Sequence, residues 1–141
     1  MTGRFGGLVA DALAGVAREC PAAYDGMRAA LGRRAIAVTV DGESFTLDLE
    51  ASGSPVAPAR GETPIGLETR AAALRDVLRG DLDLLDAILI DAVFVRGAAA
   101  DLVALAEGCL FFLKGAVRSE SMSPLFARLE RLAAANHGEN A

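Results

Sequence analysis

The hydrophobic period of this chain switches twice, and the two switches restrict the fold more than any other feature. Apolar residues alternate as Ile36, Val38 and Val40 in "AIAVTV", and again as Phe45, Leu47 and Leu49 in "SFTLDLEA". A period of two places one set of side chains on one face, so these segments read as two strands with one buried side. Asp41-Gly42-Glu43 between them supplies turn chemistry, which makes the pair a hairpin. Before and after this region the period is 3.6, the spacing of helices with one apolar face.

The first 34 residues read as helix. Phe5, Leu8, Val9, Ala12, Leu13 and Val16 form one stripe; Pro21 suits the first turn of a second helix, and Gly32 suits its C-terminal end. Arg33-Arg34 then sits where a helix terminus favours cations. After the hairpin, "SGSPVAPARGETP" is rich in turn residues, and Pro55 and Pro58 permit at most an edge strand around Val56. Ile65 and Leu67 in "PIGLE" suggest a further strand. From Thr69, a natural N-cap, a helix with Leu74, Val77 and Leu78 facing inward runs to Gly80. Asp83, with Asp86 three residues later, starts another that points Leu85, Ile88 and Leu89 to the core.

"AVFVRG" is then a short strand ending at Gly97. A long helix follows, with Leu102, Leu105, Ala106, Cys109, Phe112, Leu113 and Val117 on a broad stripe. A polar hinge over 118–123 leads through Ser123-Pro124 to a last helix with Leu125, Phe126, Leu129 and Leu132 inward. The expected organisation is one domain over 1–141: N-terminal helices over 1–34, a sheet with two inserted helices over 35–97, C-terminal helices over 98–135, and a polar tail over 136–141.

Composition removes several function classes. Apolar residues make up 52% and charged residues 23% of the 141, so a substantial core is expected. A net charge of −5 without clustered Lys and Arg argues against nucleic acid. Asp83, Asp86 and Asp91 interrupt the best candidate for a membrane span. The N-terminus lacks the apolar run and cleavage site of a signal peptide, and two distant cysteines, Cys20 and Cys109, form no C-x-x-C, so a soluble cytoplasmic protein is expected.

The single histidine, His137, lies in the expected tail, so neither a nucleophile–histidine pair nor a metal-ligand spacing is present. The glycines of "TGRFGG" follow no strand and form no phosphate-binding pattern. The acidic cluster Asp81, Asp83, Asp86 and Asp91 lacks the glycine and closing glutamate of an EF-hand loop and reads as helix-start chemistry. No catalytic residue, metal or cofactor is expected.

What remains is much apolar surface with no polar machinery beside it. From "IAVTVDGESFTLDLEAS" through "LRDVLRGDLDLLDAILIDAVFVRGAAADLVAL" the chain resembles the sterol carrier protein 2 (SCP-2) family of lipid-binding domains. The family pattern is a hairpin, an edge strand, a strand leading into a helix that ends in Gly, a second helix containing Ala, a short apolar strand ending in Gly, and a long helix. Gly80, Ala87, Val93, Val95 and Gly97 fall on it, and it spans about residues 20–135.

The resemblance implies an α+β fold of two layers, with helices packed on one face of a five-stranded, mostly antiparallel sheet. It also implies an apolar tunnel between the layers, closed in part by the C-terminal helix. On this chain the tunnel walls would come from Val38 and Leu47 of the hairpin, and from Leu74, Leu78, Leu85 and Ile88 of the inserted helices. Val93 and Val95 of the last strand would add to them, as would Leu105, Cys109, Phe112, Leu125, Phe126 and Leu129 of the C-terminal helices. The implied role is a non-enzymatic intracellular carrier of a fatty acid, acyl-CoA or sterol-like molecule, with at most transient membrane contact.

Family members tend to place Lys or another polar residue between the two apolar residues of the last strand, where this chain has Phe94. Either the N-terminal helix covers Phe94, or it belongs to a homodimer interface on that sheet face. Two other roles stay open: an assembly subunit with a filled cavity, and a small enzyme acting on an apolar substrate.

Overall fold

A computed structural model describes residues 3–139. Two helices, α1 (Arg4–Glu19) and α2 (Pro21–Leu31), precede the hairpin strands β1 (Ile36–Val40) and β2 (Glu43–Leu47). Then come β3 (Val56–Pro58), β4 (Ile65–Thr69), α3 (Ala71–Leu78), α4 (Leu84–Leu89), β5 (Val93–Arg96), α5 (Ala99–Ala116) and α6 (Met122–Glu139). The five strands form one sheet in the order β3-β2-β1-β4-β5. Only the β1–β4 pair is parallel, so the sheet is mostly antiparallel, in an α+β architecture.

The hairpin turn does more than reverse the chain. Val40 pairs with Glu43, leaving Asp41 and Gly42 as a two-residue loop, and both have positive φ (49° and 85°). That combination belongs to the primed turns whose twist matches a hairpin, and Asp and Gly tolerate it. The side chains beside the turn then cap helices remote in sequence. Glu43 accepts hydrogen bonds from the backbone N–H groups of Phe5 (3.2 Å) and Gly6 (2.8 Å), satisfying the open first turn of α1. Asp41 Oδ1 accepts from the N–H of Ala71 at the start of α3 (3.3 Å).

Other helix ends follow the sequence expectation. Gly80, at φ 80°, ends α3, and Asp81 N–H bonds back to the Asp76 carbonyl as in a Schellman closure. Arg34 donates to the Leu31 carbonyl at the end of α2 (3.3 Å) and pairs with Asp101 in the first turn of α5 (2.8 Å). The α2–α5 contact is close because Gly108 leaves room for Leu31, whose side chain would lie 3.0 Å from an added Cβ.

Three expectations are corrected. Thr69 is not an N-cap: it pairs with Val40 and Val93 in the ladders, its hydroxyl donates to the Ala92 carbonyl (3.0 Å), and Arg70 takes the cap position. In α4 the phase is reversed. Asp83 caps it as expected, but fully buried Ala87 faces the protein, while Leu85 and Leu89 are exposed. Leu85 and Leu89 are each two residues from Ala87, about 200° around the helix, so burying the small residue turns both leucines outward. At the C-terminus α6 continues through Glu139, where a polar tail from 136 was expected. The side chain of His137 lies outside the described residues.

Candidate ligand-binding cavity

The inner face of the sheet and the helices do not close on each other completely. Side chains leave a cavity of about 250 Å³ between the layers. Its floor is the period-two face: Ile36, Val38 and Val40 of β1, Phe45 and Leu47 of β2, Leu67 and Thr69 of β4, and Val93 of β5. The strand registers set Val38 beside Phe45 and Leu67, so the floor is continuous across the central strands. α1 contributes Leu8, Val9, Ala12 and Leu13; α2 contributes Met27 and Leu31; α3 contributes Leu74, Val77 and Leu78. α5 and α6 close the cavity with Leu105, Gly108, Cys109, Phe112, Leu113, Met122, Leu125, Phe126 and Leu129.

The wall is apolar throughout and carries no charged side chain. Its one hydroxyl, on Thr69, is already committed to the Ala92 carbonyl. Its one thiol, on Cys109, is held neutral: burial pushes it up to about 11. Such a site offers shape and apolar contact, and nothing in its wall can move a proton at neutral pH. Among the described residues, no three His, Cys, Asp or Glu side chains come together in a way that could hold a metal ion.

Eleven of the fourteen residues singled out from the sequence lie on this wall: Val38, Leu47, Leu74, Leu78, Val93, Leu105, Cys109, Phe112, Leu125, Phe126 and Leu129. Leu85, Ile88 and Val95 do not. Leu85 points to solvent, Ile88 is half-buried on α4, and Val95 packs against the core one pleat further along the edge strand. Sequence reading missed the contribution of α1 and α2, because a stripe that walls a cavity has the same period as one that fills a core. The outer face of the sheet carries Phe94 opposite Glu68, 58% exposed, so no helix covers it.

Two ion pairs hold α6 near its middle. Arg128 pairs with Asp11 of α1 (2.7 Å), and Arg79 approaches Glu130 (3.8 Å). The 118–123 segment, expected as a hinge, is tied down: the Ser119 hydroxyl is buried and donates to the Gly115 carbonyl (2.8 Å), and Ser121 bonds to Glu19.

No protein-family model matches the chain, and no curated protein matches it in sequence. Solved structures do match. Sterol carrier protein 2 from Yarrowia lipolytica in its apo form is 17% identical, with 82% of this chain aligned to 90% of that one at a TM-score of 0.52. A crystal structure of sterol carrier protein 2 is 19% identical, with 77% of this chain aligned to 95% of that one and a TM-score of 0.52. A conserved hypothetical protein from Thermus thermophilus, described as possibly a sterol carrier protein, is 21% identical, with coverage of 75% and 82% and a TM-score of 0.50. At these identities the likeness is one of backbone architecture, and it spans most of the chain: this protein has an SCP-2-like fold.

Proposed function

We propose that the protein is a non-enzymatic lipid carrier that holds one apolar chain between its sheet and its helices. The observation that carries this reading is the charge-free cavity of about 250 Å³. An apolar cavity of about 150 Å³ admits benzene, so this one has room for roughly ten carbon atoms. That suits a single acyl or isoprenoid-like chain better than a fused-ring sterol. Moving about ten methylenes out of water yields roughly 8 kcal/mol. Filling an existing void adds contacts worth up to about 6 kcal/mol at ~24 cal/mol per Å³. Association costs of roughly 4–15 kcal/mol offset much of this sum and leave an affinity of micromolar order.

An enzyme acting on an apolar substrate would need an acid, base or nucleophile facing the substrate. The wall has only a neutral thiol and a committed hydroxyl. Two free cysteines support a cytoplasmic location. The exposed ring of Phe94 supports the second reading, an assembly subunit using the same fold, and that role does not exclude an occupied cavity.

The test is saturable binding of a fluorescent fatty-acid probe, displaced by unlabelled fatty acid. Phe112→Lys or Leu129→Lys, each placing a charge in the wall, should abolish displaceable binding in protein that remains folded by circular dichroism. Absence of displaceable binding across acyl, sterol and isoprenoid probes would overturn the carrier reading.

A further inference from the structure

One face of α5 is at odds with its surroundings. The helix has only three charged residues in eighteen, Asp101, Glu107 and Lys114, and Asp101 is paired with Arg34. Its inner side reaches the cavity through Leu105, Cys109 and Phe112. Its outer side is also apolar: Val103, Leu110 and Val117 are 57%, 59% and 80% exposed, with Ala106 exposed beside them. A helix that is apolar all round belongs inside a protein, and this one is covered on one side only.

The spacing and the charges say what fits there. Val103, Leu110 and Val117 are seven residues apart, so they form a straight seam of the kind that packs against a second helix. Glu107 and Lys114, both exposed, flank the seam on the same side, separated by about 20° around the axis. If two copies of α5 cross antiparallel with Leu110 on the two-fold axis, Val103 of each lies level with Val117 of the other. Glu107 is about 4.5 Å from the axis along the helix and Lys114 about 6 Å. Each Glu107 therefore meets the opposite copy's Lys114, and the pairing occurs twice. A parallel pair would instead bring like charges level with each other.

We propose that the outer face of α5 is an interface between two copies of this chain, packed antiparallel about Leu110, with two Glu107–Lys114 pairs across it. The same residues serve both partners, as a two-fold interface requires. One helix pair of about 27 Å is a small interface, so the dimer is weak and exchanges with monomer. The contact uses the side of α5 opposite the cavity wall and leaves the ligand site open to exchange.

The experiment is sedimentation velocity from about 1 to 500 μM, with thermal melts to confirm folding. The parent chain should show a concentration-dependent monomer–dimer equilibrium, and Leu110→Glu should remain monomeric throughout. Glu107→Lys and Lys114→Glu should each weaken the dimer by roughly tenfold, because each turns two attractions into two repulsions. The double reversal Glu107→Lys with Lys114→Glu should restore it to within about twofold. A parent chain that stays monomeric to 500 μM overturns the proposal. So does a dimer that survives Leu110→Glu, that is lost on Phe94→Glu, or that the double reversal fails to rescue.

Discussion

Ala12→Leu tests the cavity and its use together. Ala12 is buried on α1 and lines the cavity, and leucine is as good a helix former to within a few tenths of a kcal/mol. The substitution adds three carbons, which at about 25 Å³ each, the share of a benzene carbon in a cavity of about 150 Å³, occupy roughly 75 Å³. The cavity of about 250 Å³ has room for them without overpacking. At ~24 cal/mol per Å³ of void removed, the unliganded protein should gain about 2 kcal/mol. A bound chain loses the same three positions, about 2.4 kcal/mol at 0.8 per methylene, so a ten-carbon probe should bind roughly fiftyfold more weakly. Urea melts of unliganded protein and fluorescence displacement with fatty acids of six to sixteen carbons measure the two quantities. Stability rising while affinity falls, with the optimum moving to shorter chains, is the expected pattern. Stability rising with affinity unchanged at every chain length would show that ligand binds elsewhere.

Three further outcomes follow from the geometry. The Cys109 thiol ionises near pH 8.5 in the unfolded chain but only near 11 in the fold, so between these values the unfolded state has lost a proton that the folded state keeps. Stability should therefore fall as pH rises through that window, by on the order of 2–3 kcal/mol at its upper end, and urea midpoints of Cys109→Ala should lack that part of the decline. Glu43→Ala removes the acceptor for two α1 N–H groups and should cost about 1–2 kcal/mol, read as a lower thermal midpoint, with Glu43→Gln recovering part of it. Leu89→Gln, on the exposed face of α4, should stay within about 0.5 kcal/mol of the parent in stability; a large loss would show that the face is buried after all.

Much of the fold is legible because its signals are local. Asp41-Gly42 specifies a hairpin turn, Gly32 and Gly80 occupy positive-φ helix ends, and Ile36, Val38 and Val40 do face the core. Thr69 misleads because a good cap residue is also a good strand residue, and pairing on both sides claims it for the ladder. α4 misleads because six residues are too few for periodicity to set the phase, and contact with β5 selected Ala87 over two leucines. The cavity was legible only through family resemblance: whether a stripe fills its space or leaves a void depends on volumes contributed by several elements at once. A subtler sign shows in the structure itself. Val38, Leu47, Leu67 and Phe112 sit in the middle of the domain yet are only partly buried, because the surface they retain faces the cavity.

The void between the layers also has mechanical consequences. Internal space that vanishes on unfolding makes the unfolded chain the smaller state, so hydrostatic pressure favours it. A void of 250 Å³ per molecule corresponds to about 150 mL/mol, an upper bound on its share of the volume change and large beside the roughly 20–100 mL/mol of ordinary domains. Unfolding of the empty protein should therefore carry a larger volume decrease than unfolding of the occupied one. A bound chain removes that space, so occupancy turns a pressure-sensitive shell into a solid body.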